Sequence, residues 1–86
     1  MTDPLAIEIA AWIEADLHEE GRTQSVTPDE ALLDGGALDS VRLLKLVSWL
    51  EEARGVTIGA AEMVPDNFAS ARAIAAMVAA LKGHSS

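Results

Sequence analysis

Cysteine is absent from the 86-residue chain. Its absence excludes disulfides, a thiolate metal site and a cysteine nucleophile together, and a cytoplasmic chain is the simplest expectation. Aromatic residues are nearly absent too: Trp12, Trp49 and Phe68 are the whole set. The core is therefore expected from Leu, Ile, Val and Ala, with alanine-rich segments letting helices approach closely. No apolar run nears the roughly 20 residues of a membrane span, and Met1-Thr2-Asp3-Pro4 lacks the basic start of a signal peptide. Basic residues are also few, six against fourteen acidic ones, for a formal charge of −8. Such a surface repels nucleic acid and anionic membrane alike, and suits a partner with a basic surface, although it also serves ordinary solubility. The length fits one small domain over 1–86, with an ordered core from about 3 to 82.

Several chemistries lack their residues. The histidines are His18 and His84, one closing a helix and the other in the tail, so a Ser-His-Asp triad is not assembled. The carboxylates fall at no ligand spacing, so no metal site is expected. Gly35-Gly36 lacks the lysine and spacing of a P-loop. No catalytic residue is assigned.

What is present is helical periodicity. Asp3-Pro4 is a cap followed by proline at the first helical position, and Leu5, Ile9, Trp12, Ile13 and Leu17 then recur on one face to about Glu19 or Glu20. Asp16 intrudes near that apolar stripe. A long connection, 21–39, follows, with Val26, Leu32, Leu33 and Leu38 as anchors and Thr27-Pro28-Asp29-Glu30 as the expected start of a short helix. A second helix is predicted from Ser40 to Arg54, ending at Gly55. Its core face holds Leu43, Leu46, Val47 and Leu50, with Ala53 and Arg54 at the edge. Val56–Gly59 reads as an extended connector, 60–64 as a helical turn ended by Pro65, and Asp66-Asn67-Phe68 as a loop plugged into the core by Phe68. Ser70 caps a last helix with Ala71, Ile74, Ala75, Val78 and Leu81 inward, ending near Lys82-Gly83 before a frayed tail. The expected fold is an all-α, small four-helix bundle, three helices long and one short, with a long loop between helices 1 and 2.

One junction stands out. Gly35-Gly36-Ala37-Leu38-Asp39-Ser40-Val41 passes from a turn-rich loop into an apolar helix. Asp39 suits the N-cap and Ser40 the first turn, where unpaired amides and the helix dipole favour a negative group such as a phosphate ester. An ordinary Asp-Ser cap pair explains the same residues. The outward face of this helix carries Val41, Leu44, Lys45, Ser48, Glu51 and Glu52, two exposed aliphatics and then charges, a pattern suited to partner docking.

From residue 29 onward the pattern reads Asp-Glu-x-Leu-Leu-x-x-Gly-x-Leu-Asp-Ser-Val, then Leu43, Leu44, Leu46, Val47, Leu50-Glu51-Glu52, Gly55, Ile58, Pro65-x-Asn-Phe-x-Ser and Ile74. Over almost the whole chain this resembles the acyl carrier protein and peptidyl carrier protein family. The resemblance implies that Ser40, after Asp39, is esterified with 4'-phosphopantetheine taken from coenzyme A by a phosphopantetheinyl transferase. The thiol of that arm would then hold an acyl or aminoacyl group as a thioester. It also implies a monomeric carrier, not an enzyme, that serves an adenylating acyl or aminoacyl ligase and downstream acyl-transferring enzymes. The alternative is an unmodified helical module that binds a partner through Val41 and Leu44.

The chain departs from the carriers of fatty-acid synthesis in two respects. Their Asp-Ser-Leu is Asp39-Ser40-Val41 here, and their acidic second helix begins here with Arg42 and Lys45 before reaching Glu51 and Glu52. Arg42 and Lys45 are accordingly expected to make the near end of the docking face basic. Leu33-Asp34-Gly35 and Pro65–Phe68 look more like stand-alone carriers of specialised metabolism that receive an amino acid or an unusual acyl group.

Overall fold

Three α-helices form around the predicted apolar stripes in the computed structural model, which describes residues 3–84: α1 (Pro4–Glu19), α2 (Ser40–Arg54) and α3 (Ala71–His84). Each begins on its sequence signal. Asp3 Oδ1 accepts the Leu5 N–H at 3.0 Å, Asp39 Oδ1 the Arg42 N–H at 2.8 Å, and Ser70 Oγ the Ala73 N–H at 3.1 Å, each satisfying a donor that the helix itself leaves unpaired. Gly55 ends α2 at φ +66°, the left-handed conformation that glycine adopts without steric cost. The last helix runs through His84, past the expected stop at Lys82-Gly83; the rest of the expected frayed tail, Ser85-Ser86, lies outside the described residues.

The helices α1 and α2 run antiparallel, because their contacts pair opposite ends. The Arg54 Nη2 donates to Glu8 Oε2 at 2.7 Å, the Trp12 and Trp49 rings stack with centroids 5.6 Å apart, and Arg42 meets Asp16 and Glu20. Lys82 Nζ reaches the Arg54 carbonyl at 3.2 Å, so α2 and α3 finish at the same end. Between them lie the fully buried Ile9, Ile13, Leu17, Leu32, Leu46, Leu50, Phe68, Ile74 and Val78. Leu43, Val47 and Leu81 pack against this core only in part, and Ala53 is exposed.

Two expectations about the connections are corrected. The turn at Thr27 does not become a helix: Glu30 N–H bonds the Thr27 carbonyl at 3.2 Å, but the Pro28 carbonyl accepts from Arg72 N–H at 2.9 Å and Leu32 N–H goes to the Ala69 carbonyl at 2.9 Å. The i to i+4 pair that would continue a helix is thus taken by the start of α3, and an Arg72–Asp29 ion pair holds the same seam. Nor is the segment after Gly59 one helical turn followed by a loop: the expected turn forms, but the expected loop at Asp66-Asn67-Phe68 does not. Instead two 3-10 turns appear, Ala60–Glu62 and Pro65–Phe68, separated at Val64, which the following proline drives into an extended conformation at φ −118°, ψ 148°. Among the described residues the fold is therefore three α-helices with two 3-10 turns, and not a four-helix bundle. Phe68 is buried as expected, but within the second turn and not in a loop. Among the described residues no helix is long and apolar enough to cross a membrane.

Candidate functional site

Ser40 is the first residue of α2, and it is exposed. Asp39 before it sits in an extended conformation and caps the helix, its carboxyl held below the ordinary range chiefly by the Arg42 N–H and further by the Arg42 charge. Immediately upstream, Ala37 and Leu38 are buried, and Gly36 turns the chain at φ +74°, where any side chain would be strained. A hydroxyl is thus presented to solvent on a helix N-terminus by a loop that is anchored on both sides. Such a terminus accommodates an anionic ester through its amide donors and dipole.

Arg42 overturns an expectation. Placed by the sequence on a basic docking surface, it is only 1% exposed and its charge is spent inside the protein. Nε donates to Asp16 Oδ2 at 2.8 Å, Nη1 donates to the Ala37 carbonyl at 2.9 Å and lies 3.7 Å from Asp39 Oδ2, and Nη2 pairs with Glu20. Burial alone opposes the cation, yet the carboxylates of Asp16 and Glu20 outweigh it and raise the guanidinium pKa above its ordinary value. Lys45 stays on the surface but is held at 2.9 Å by the other oxygen of Asp16. Asp16 is depressed by that Lys45 hydrogen bond, against the opposing effect of burial, and further by Arg42. The near end of α2 therefore presents an internally compensated charge, not a basic patch. Asp16 and Glu20 are the residues whose part the sequence reading missed. The signal for Asp16 was legible as a carboxylate intruding near an apolar stripe, which demands a cation.

The other residues expected on the outward face of α2 differ in exposure. Val41 and Leu44 are 66% and 63% exposed, and Ser48 and Glu52 face solvent with them. Glu51 is half-buried, and one of its oxygens accepts the Ile58 N–H at 2.9 Å, tying down the connector after α2. Beside this face, Leu33, Leu43, Met63, Val64, Pro65 and Phe68 line an apolar groove of about 170 Å³. Leu33, expected as a core anchor, forms part of its wall at 40% exposure. Among the described residues no three His, Asp or Glu side chains converge as a metal site requires.

The phosphopantetheine attachment-site family matches residues 11–78, the span that holds the loop, α2, both 3-10 turns and most of α3. The chain belongs to that family. As a phosphopantetheine carrier it is a carrier protein and not an enzyme, and its cofactor is covalent 4'-phosphopantetheine. That group supplies a mobile thiol, which this cysteine-free chain lacks. A solved structure from Bradyrhizobium japonicum, a glycine:[carrier protein] ligase complexed with its cognate carrier protein and an analogue of glycyl adenylate, contains a chain similar to this one. The two share 28% sequence identity and superpose with a TM-score of 0.70, covering 87% of this phosphopantetheine carrier and 96% of that chain. No curated protein matches the carrier's sequence.

Proposed function

We propose that Ser40 is the attachment point and that the carrier receives an amino acid from an adenylating ligase. In the attachment step the Ser40 Oγ forms a bond to the phosphorus that bears pantetheine in coenzyme A. The phosphoanhydride bond breaks, adenosine bisphosphate leaves with the electron pair, and the serine proton passes to a base on the transferase. This chain contributes placement alone: the exposed hydroxyl at the head of α2, with Asp39 capping the helix beneath it. That exposed position is the observation that carries the reading. The whole chain would act as one carrier unit.

For cargo, the similarity to the carrier of a glycine ligase favours an aminoacyl group over a fatty acyl one. A dedicated ligase of this kind points to specialised metabolism. The docking surface is read as Val41, Leu44, Lys45, Ser48, Glu51 and Glu52, without Arg42. Its near half is apolar with a compensated lysine and its far half acidic, so a partner with an apolar contact near Ser40 and a basic rim beyond it fits best.

Two steps test the reading. Incubation with coenzyme A and a broad-specificity phosphopantetheinyl transferase should add one phosphopantetheine mass to the wild type and none to Ser40→Ala; an unmodified wild type would favour the interaction module. The holo protein is then offered ATP, a glycine-activating ligase and amino acids or fatty acids in turn. Loading by an amino acid is expected, and exclusive loading by a fatty acid, given its own ligase, would refute the cargo assignment.

A further inference from the structure

Arg42 lies two residues beyond Ser40, yet its side chain turns away from any partner and into the protein. Its contacts converge on the segment that presents Ser40. Nη1 holds the Ala37 carbonyl three residues before the serine, and the same nitrogen faces the Asp39 carboxylate. Its backbone N–H is the donor that Asp39 caps. The other arms of the guanidinium run to Asp16 and Glu20 at the C-terminal end of α1. One planar fork thus ties the loop before Ser40, the head of α2 and the end of α1 into a single unit, which an ammonium with its point charge does not reproduce.

We infer that Arg42 is a positioning residue for the modification of Ser40: by clamping Ala37 and Asp39 onto α1 it fixes the direction in which the Ser40 hydroxyl meets coenzyme A on the transferase. The inference rests on the assignment of Ser40 as the acceptor. A buried arginine that served folding alone would set stability without touching the rate of the folded protein. One that orients the hydroxyl governs the turnover step, because small displacements of a reacting group cost large factors in rate. Since Arg42 is buried, the transferase does not contact it, and carrier binding should be unaffected.

The test is steady-state phosphopantetheinyl transfer from coenzyme A to wild type, Arg42→Met, Arg42→Lys and Glu20→Gln, below the melting temperature of each, with folding checked by circular dichroism. Arg42→Met is expected to lower kcat roughly tenfold with KM for the carrier within about twofold, and Arg42→Lys to recover part of the loss. Glu20→Gln, altering one exposed arm of the fork, should lower kcat by roughly threefold. A folded Arg42→Met with wild-type kcat, or with KM raised and kcat unchanged, overturns the inference and leaves the Ser40 assignment standing. Should Arg42→Met fail to fold, Glu20→Gln decides alone, and an unchanged kcat there is equally contrary. A wild type that accepts nothing overturns the Ser40 assignment and the inference with it.

Discussion

Replacing Asp16 by asparagine keeps the shape of the side chain and removes the charge that Arg42 and Lys45 share. In the folded protein Asp16 Oδ2 accepts from Arg42 Nε at 2.8 Å and Oδ1 from Lys45 Nζ at 2.9 Å. The Lys45 arm is half exposed and, like most surface pairs, contributes about 0.2–1 kcal/mol. The Arg42 arm is worth more, because the guanidinium is buried and hydrogen bonds to charged groups contribute about 1.5–3 kcal/mol. Asparagine keeps one acceptor oxygen, and Arg42 keeps Glu20, Ala37 and Asp39. A net loss of about 1–2 kcal/mol at neutral pH follows, well short of the full cost of stranding a buried charge. For a domain of this size that lowers Tm by about 4–16 °C.

The same substitution has a pH signature. The carboxyl of Asp16 is depressed below its ordinary value of 3.8 on folding, so its stabilisation is complete above that value and is lost as pH falls through the lower folded value. Thermal unfolding followed by circular dichroism, run from neutral pH into acid, should therefore show the gap between wild type and Asp16→Asn narrowing as the wild type protonates. Equal melting temperatures at neutral pH, or a gap that persists unchanged in acid, would refute the shared-carboxylate account of the Ser40 support.

Three further outcomes follow from the packing and from the outward face of α2. Phe68→Ala removes the one buried aromatic ring at the end of the core and should cost about 3–5 kcal/mol, visible in a denaturant titration as a loss of much of the total stability. Gly55→Ala meets open space but keeps φ +66°, so it should cost about 1 kcal/mol through backbone strain alone, with no change in the slope of that titration. Leu44→Asp should weaken ligase-dependent loading severalfold while leaving helicity and phosphopantetheinylation of Ser40 measurable; unchanged loading would remove Leu44 from the docking surface.

Helix positions were legible because their signals are local. Asp3-Pro4, Asp39 and Ser70 start helices in the structure as in the sequence, and the apolar period of α1 selects the residues that are buried. The place of Ser40 at the head of α2 was legible for the same reason, set by the cap before it and the apolar helix after it. What escaped was decided by distant partners. No local pattern reveals that the Pro28 carbonyl is claimed by Arg72 N–H, which ends the expected short helix after one turn. Arg42 was misread on the same account: on the helical wheel of α2 alone it is a surface cation, and only Asp16 and Glu20, two dozen residues upstream, draw it inside. Val56 and Met77 also joined the core, at positions outside the apolar stripes read from the sequence.

The proposed carrier function turns on one hydroxyl, that of Ser40 at the head of α2. Fragmentation mass spectrometry of the protein after transfer from coenzyme A locates the added group directly. Every modified fragment is expected to retain the phosphopantetheine mass on Ser40. Finding that mass on Ser48 or another hydroxyl, or finding no added mass after exhaustive incubation with an active transferase, would contradict it.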